Sequence, residues 1–207
     1  MIKLYGTEIS GNSYKAKLLL SFLGIDYEWV DINPRKGENK SPEFLAINPF
    51  GQIPVLVDDT MVLPDAQAIL VYLARRYGGD TWFPVDAEPM SRVVRWLSTS
   101  AGEIRQGPEF ARRYHKFGAT ILDLDWINQK SEFILTQVDQ HLANREWLEL
   151  NRPTIADIAA FPYIALAPDG KISLDNYPNI LAWIERIKKL PGFVGMPGIE
   201  GPVTTTI

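Results

Sequence analysis

The side chains in this sequence that could do chemistry fall in short clusters: Ser10-Gly11-Asn12-Ser13, Asn39-Lys40, Gln52-Ile53-Pro54 and Asp65-Ala66. A hydroxyl or amide just ahead of a helix can donate to an anion that the first-turn N–H groups also face. Ser10 and Asn12 stand in such a place, before a helical pattern that begins at Ser13. Lys40 offers a point cation suited to a carboxylate, with Asn39 as a polar neighbour. Asp65 opens another helix, where its carboxylate can meet an ammonium while the N–H groups behind it take an anion. Each residue also has a plain structural reading. Ser10 can be a loop residue, Asn12, Ser13 or Asp65 a helix N-cap, and Lys40 a solvated surface charge. Tyr5 lies in a strand and reads as core. Residue types alone leave both readings open.

The stretch "NPFGQIPVL" is the most unusual local pattern. Pro54 cannot donate to a sheet ladder, yet it stands at the mouth of the apolar run Val55-Leu56-Val57. An ordinary trans proline can begin a strand there. A cis Ile53–Pro54 peptide would instead turn the Ile53 backbone outward, where its N–H and C=O can meet a ligand.

Several elements must position these clusters. Ile2 to Tyr5 reads as a strand and Gly6 to Asn12 as a polar loop. The helix from Ser13 carries Ala16, Leu19, Leu20 and Leu23 on one face, with Gly24 as its stop. Tyr27 to Ile32 alternates as a strand, so the opening is a βαβ unit with a parallel pair. The loop "NPRKGENKS" leads to a helical turn over Pro42 to Ile47. Val55-Leu56-Val57 and Met61-Val62-Leu63 flank Asp58-Asp59-Thr60 as a hairpin. The Asp65 helix aligns Ile69, Leu70, Leu73, Ala74 and Tyr77, and Gly78-Gly79 end it. "GGDTWFPVDAEP" breaks both periodicities and reads as a linker. Helices follow over Met90–Ser100, Glu109–Phe117, Ile121–Ala143, Ile155–Ala165 and Ile180–Leu190. Thr154-Ile155-Ala156-Asp157 is a capping box with Asp in the Glu position. The spacing predicts an α/β domain with a mixed sheet, βαβαββα, over residues 1–79 and an all-α domain over 88–207.

Bulk composition narrows the function classes. Hydrophobic residues make up 46% and charged residues 22%, with a net charge of −4, as in ordinary globular proteins. The basic residues are scattered, which disfavours a nucleic-acid surface. Cysteine is absent, so the chain has no thiolate nucleophile of its own. With only His115 and His141, far apart in sequence, no metal site is expected. The most apolar stretch, Ile155 to Pro168, is too short to cross a bilayer and is interrupted by Asp157 and Pro162. Lys3 and Glu8 interrupt what would be a signal core, so a cytoplasmic protein away from membranes is expected.

With "NPFGQIPVL" before the third strand, then "PDAQAILVYLARRYG", then "RPTIADIAAFPY" and "LPGF" in a helical domain, the chain resembles the cytosolic glutathione S-transferases. The resemblance covers nearly the whole chain in the right order, and "SGNSYK" is closest to the serine-type bacterial members. It implies a thioredoxin-like N-terminal domain, a cis Pro54, and an Ile53 backbone that pairs with the cysteinyl part of glutathione. Ser10 would stabilise the glutathione thiolate, with Asn12 as the alternative donor. Lowering a thiol from its ordinary pKa of ~8.5 by two units takes about 2.7 kcal/mol. One hydroxyl bond to the anion supplies about 1.5–3 kcal/mol and a helix N-terminus about 0.3–1.

The resemblance further implies that Asp65 meets the glutathione ammonium while the Ala66 N–H holds the γ-glutamyl carboxylate. The family carries a serine where this chain has Ala66, so one hydroxyl contact is missing. Asn39, Lys40 and Gln52 would serve the glycyl carboxylate. Glutathione is then the co-substrate, with no metal, and a hydrophobic electrophile sits against the helical domain. Tyr14, Tyr114, Arg105, Arg112 and His115 are candidates for that cleft, the three cationic residues reading more readily as surface. A homodimer through the third and fourth helices, and a role in detoxification, are family expectations. Two other readings share the fold: a non-catalytic ligand carrier or assembly protein, and a glutathione-dependent disulfide-bond reductase, isomerase or dehalogenase.

Overall fold

A computed structural model describes residues 1–201 of the chain. The strands β1 (Ile2–Gly6), β2 (Tyr27–Asp31), β3 (Val55–Asp58) and β4 (Met61–Pro64) form one mixed sheet in the order β2-β1-β3-β4. β1 runs parallel to β2, with Ile2 opposite Tyr27, and antiparallel to β3, with Leu4 opposite Leu56. β3 and β4 close the expected hairpin, from Val55–Pro64 to Asp58–Met61. Helices α1 (Gly11–Leu23), α2 (Pro42–Ile47) and α3 (Ala66–Tyr77) complete the βαβαββα order. Leu4 and Leu56 of the sheet share a core with Leu19 and Leu20 of α1 and Ile69, Leu70 and Leu73 of α3.

The remaining helices are α4 (Gly79–Trp82), α5 (Ala87–Thr99), α6 (Phe110–Phe117), α7 (Leu124–Leu142), α8 (Ile155–Ala165) and α9 (Pro178–Lys188). The C-terminal domain expected over 88–207 thus ends in residues, 202–207, that lie outside the described ones. α8 is apolar on every side because it is covered on every side, including by α1 and α5. Leu18, outside the single stripe read from the sequence, is buried as well, so α1 is enclosed nearly all round.

Several boundaries differ from the sequence reading, each for a local reason. α1 starts at Gly11 rather than Ser13 because Ser10 is its N-cap. The interval between the helices expected at Ser100 and Glu109 is itself helical: Ser100–Glu109 is a π-helical segment joining α5 to α6. Pro108 fits inside it. α7 begins at Leu124, not Ile121, since the Asp123 carboxylate accepts from the N–H groups of Asp125 and Trp126. The linker holds the short helix α4.

The capping box at the start of α8 forms as expected. Asp157 is fully buried and its carboxylate accepts from Leu148 N at 3.0 Å, Thr154 N at 2.9 Å, Thr154 Oγ1 at 3.3 Å and Trp183 Nε1 at 2.9 Å. Burial pushes its pKa up to about 6 against the pull of those donors. The box therefore pins the 148–154 loop and α9 to the core as well as starting a helix.

Candidate functional site

The loop between β1 and α1 delivers Ser10. Its backbone is extended, at φ −87° and ψ 117°, and its Oγ accepts from Ser13 N at 3.2 Å. A hydroxyl carries one donor and two acceptor lone pairs, so capping consumes only an acceptor. The Ser10 O–H remains able to donate to an anion at the α1 N-terminus. The cap of α1 thus falls to Ser10 rather than to Asn12 or Ser13, and capping is compatible with donation to an anion.

Gly11 and Asn12 follow in the first turn, against the helical domain. A Cβ at Gly11 would lie 2.8 Å from Cζ of Tyr163, a contact no side chain tolerates. Burial raises the Tyr163 phenol far above its ordinary range. Asn12 itself is partly exposed.

The second cluster is assembled across a loop. Asn39 Nδ2 donates to Gly51 O at 2.7 Å, and Lys40 Nζ donates to Phe50 O at 3.0 Å. Asn48 closes the same turn, donating to Gln52 O at 2.7 Å and accepting from Phe50 N. Gly51 has φ 59°, and a Cβ there would meet Lys40 Nζ at 2.5 Å. Asn39 and Lys40 are thus drawn onto the turn that leads into Gln52 and Ile53, while the Lys40 and Gln52 side chains stay exposed. The Ile53–Pro54 peptide is cis.

Asp65 caps α3 with Oδ1, which accepts from Gln67 N and Ala68 N, both at 2.9 Å. Its φ of 81° is rare for a residue with a side chain and costs about 1–3 kcal/mol. Oδ2 and the Ala66 N–H are left for an outside partner. Such strain at a helix start, on an exposed carboxylate, is the pattern expected of a ligand clamp rather than of a bare cap.

Two residues required correction. Tyr14 does not line a cleft: it is 2% exposed and its hydroxyl donates to Val194 O at 2.7 Å. Arg112 does not lie on the surface: it is 2% exposed and bonds Ile9 O and Asp169. Arg105 is exposed, and His115 is partly so, packed edge-on to Tyr114.

Sequence reading also missed Lys15. It is buried, with Nζ donating to Ser100 Oγ at 3.0 Å and lying 5.2 Å from the Tyr163 ring centre. Ser100 passes the bond on to Ala159 O. Burial lowers the Lys15 pKa to about 8, opposed by the charges of Glu109 and Asp65. The signal was its spacing, since Lys15 stands three and four residues before Leu18 and Leu19 on the buried side of α1. Two surface grooves, one between Pro84–Arg92 and Trp147–Arg152 and one beside α9, contain none of the predicted site residues. No cluster of His, Cys, Asp and Glu among the described residues is arranged to hold a metal ion.

The fold and its site define a class: a thioredoxin-like domain whose two helix N-termini carry open donors, joined to an all-α domain. Residues 1–75 match the N-terminal domain of glutathione S-transferase, and residues 128–191 match its C-terminal domain. Glutathione S-transferase 3 of Zea mays is 30% identical over 203 residues, 93% of this chain and 91% of the maize protein. The disulfide-bond oxidoreductase YfcG of Escherichia coli is 29% identical over 203 residues, covering 92% of each. A crystal structure of a glutathione S-transferase from Xanthobacter autotrophicus superposes with a TM-score of 0.87 at 32% identity, over 96% of this chain and 98% of that one. The chain belongs to the glutathione S-transferase family.

Proposed function

We propose that the protein is a cytoplasmic, homodimeric glutathione transferase that joins the glutathione sulfur to an electrophilic, largely apolar small molecule. Glutathione binds the domain spanning 1–79, and the electrophile sits against the helical domain spanning 88–207. Asp65 Oδ2 takes the ammonium and the Ala66 N–H the γ-glutamyl carboxylate. The Ile53 main chain pairs with the cysteinyl unit, and Lys40, Asn39 and Gln52 face the glycyl carboxylate. The thiol proton leaves to solvent, Ser10 donates to the thiolate, and sulfur attacks carbon as the leaving group departs with its electron pair. Asn12 is the alternative donor. The chemistry calls for no metal. Dimerisation uses α3 and α5, and detoxification is the physiological role.

The observation that carries this reading is the Ser10 cap, which accepts from Ser13 N and keeps its own O–H for an anion. A second reading is favoured by the likeness to a disulfide-bond oxidoreductase. In that case two glutathiones are oxidised to their disulfide as a substrate disulfide is reduced to two thiols. A carrier role rests on Ala66, which offers an N–H and no hydroxyl.

Calorimetric titration with glutathione, followed by turnover assays, decides among them. Micromolar to low-millimolar binding with conjugation of an activated aryl chloride supports the transferase. Binding with turnover of a dialkyl disulfide alone selects the reductase. No heat, and no rise in melting temperature with glutathione, leaves the carrier.

A further inference from the structure

We infer that Arg112 is a positioning residue for the nucleophile loop, fixing from the helical domain where the Ser10 hydroxyl points. The inference rests on the reading that Ser10 meets the glutathione sulfur. Arg112 lies on α6 and is buried, and its Nη1 donates to Ile9 O at 2.9 Å. Its Nε donates to Asp169 Oδ2 at 2.9 Å, an oxygen that also receives Lys116 Nζ at 2.6 Å. A guanidinium is planar, so anchoring Nε on Asp169 fixes the direction of Nη1.

The base of the clamp is itself closely packed. A Cβ at Gly170 would lie 2.8 Å from Arg112 N, so the turn bearing Asp169 rests directly on α6. At the other end, Ile9 O belongs to the peptide plane that also contains Ser10 N, and Ser10 N donates to Thr7 O at 3.0 Å. That plane is held at both polar atoms, which fixes where the Ser10 Cα sits; the Ser10 φ of −87° and the bond from Ser13 N to its Oγ then set where the hydroxyl lies. Tyr163, on α8, packs directly against the next residue, Gly11. Among the described residues Arg112 Nη2 is buried without a partner, which fits a guanidinium placed for the Ile9 carbonyl rather than for complete pairing within the helical domain.

The test uses Arg112→Lys, Arg112→Gln and, as a control, Asp169→Asn, which keeps the Ile9 donor while weakening its anchor. Amide hydrogen exchange over residues 10–12 is expected to quicken about tenfold in Arg112→Gln, with α7 and α9 unchanged. Turnover is expected to fall about 10- to 100-fold at a glutathione KM within about twofold of wild type. The pH midpoint for ionisation of the bound glutathione thiol, followed by thiolate absorbance, should rise by about one unit. Arg112→Lys should resemble Arg112→Gln because a point charge cannot serve both acceptors, and Asp169→Asn should fall between. Unchanged exchange at residues 10–12, or Arg112→Lys with the wild-type pH midpoint and turnover, would overturn the inference. Loss of glutathione binding in the wild type would sink the transferase reading instead, while the exchange data would still decide the clamp.

Discussion

Asp65 and Asp157 have the same residue type and both stand at the start of a helix, yet they end in opposite states. Asp157 is enclosed and its carboxylate accepts from four donors on three residues. Asp65 is exposed, accepts from two N–H groups of its own helix through one oxygen, and holds φ 81°. Buried polar groups that serve folding are paired to completion, because an unpaired one costs about 1–3 kcal/mol. A group that serves a ligand must keep a valence open and is tolerated because water fills it meanwhile. Saturation against vacancy separates the two domains' roles more sharply than residue type does.

The largest effect should come from breaking the saturated site. Asp157→Ala leaves Leu148 N, Thr154 N and Trp183 Nε1 without their acceptor and should cost about 3–5 kcal/mol in urea unfolding. Asp65→Ala removes a cap and should cost about 0.5–2 kcal/mol while abolishing calorimetric glutathione binding. Equal losses of stability from the two substitutions would erase the contrast.

Lys15 sharpens it, being a buried charge with one hydrogen-bond partner. Its folded pKa of about 8 lies below the ordinary 10.5, so between those values the native state holds fewer protons than the unfolded chain. Its contribution to stability should therefore rise as pH climbs from about 8 to about 10.5 and be flat below. Lys15→Met should remove that rise, read as the difference between wild-type and variant unfolding midpoints across the window. A difference independent of pH would mean the ammonium is not confined as the structure has it.

The smallest expected effect fills a vacancy. Ala66→Ser places a hydroxyl beside the free N–H at the α3 start and should tighten glutathione about tenfold or more. The melting temperature of the unliganded protein should stay as it was. Unchanged affinity would show that the carboxylate is held elsewhere.

Elements built from local pattern were legible in the sequence. Ile69, Leu70, Leu73 and Ala74 of α3 are all buried, as their spacing requires, whereas Tyr77 on the same stripe is exposed with its hydroxyl on Asp58, and the hairpin closes around Asp59-Thr60 because Asp58 still pairs with Met61. Cap chemistry was legible too, since it acts within three residues, as at Thr154 and Asp157. What stayed hidden depends on partners distant in the chain. Arg112 reads as a surface cation on α6 until Ile9, 103 residues earlier, is laid beside it. Lys15 likewise depends on Ser100, 85 residues later. The π-helical run had no signature because Pro108 ordinarily argues against any helix. At the site, the grouping of Asn39 and Lys40 with Gln52 was expected from the resemblance, whereas their bonds to the Phe50-Gly51 turn required the fold.

The missing side chain at Gly11 has a mechanical meaning. With the Tyr163 ring seated on that backbone, the seam between α1 and α8 has no slack. A push on α8 from a substitution in its core cannot be absorbed there. It passes straight into the first turn of α1, one residue from the Ser10 oxygen. Packing inside the helical domain and the position of Ser10 are thereby geared together as motions along one coordinate.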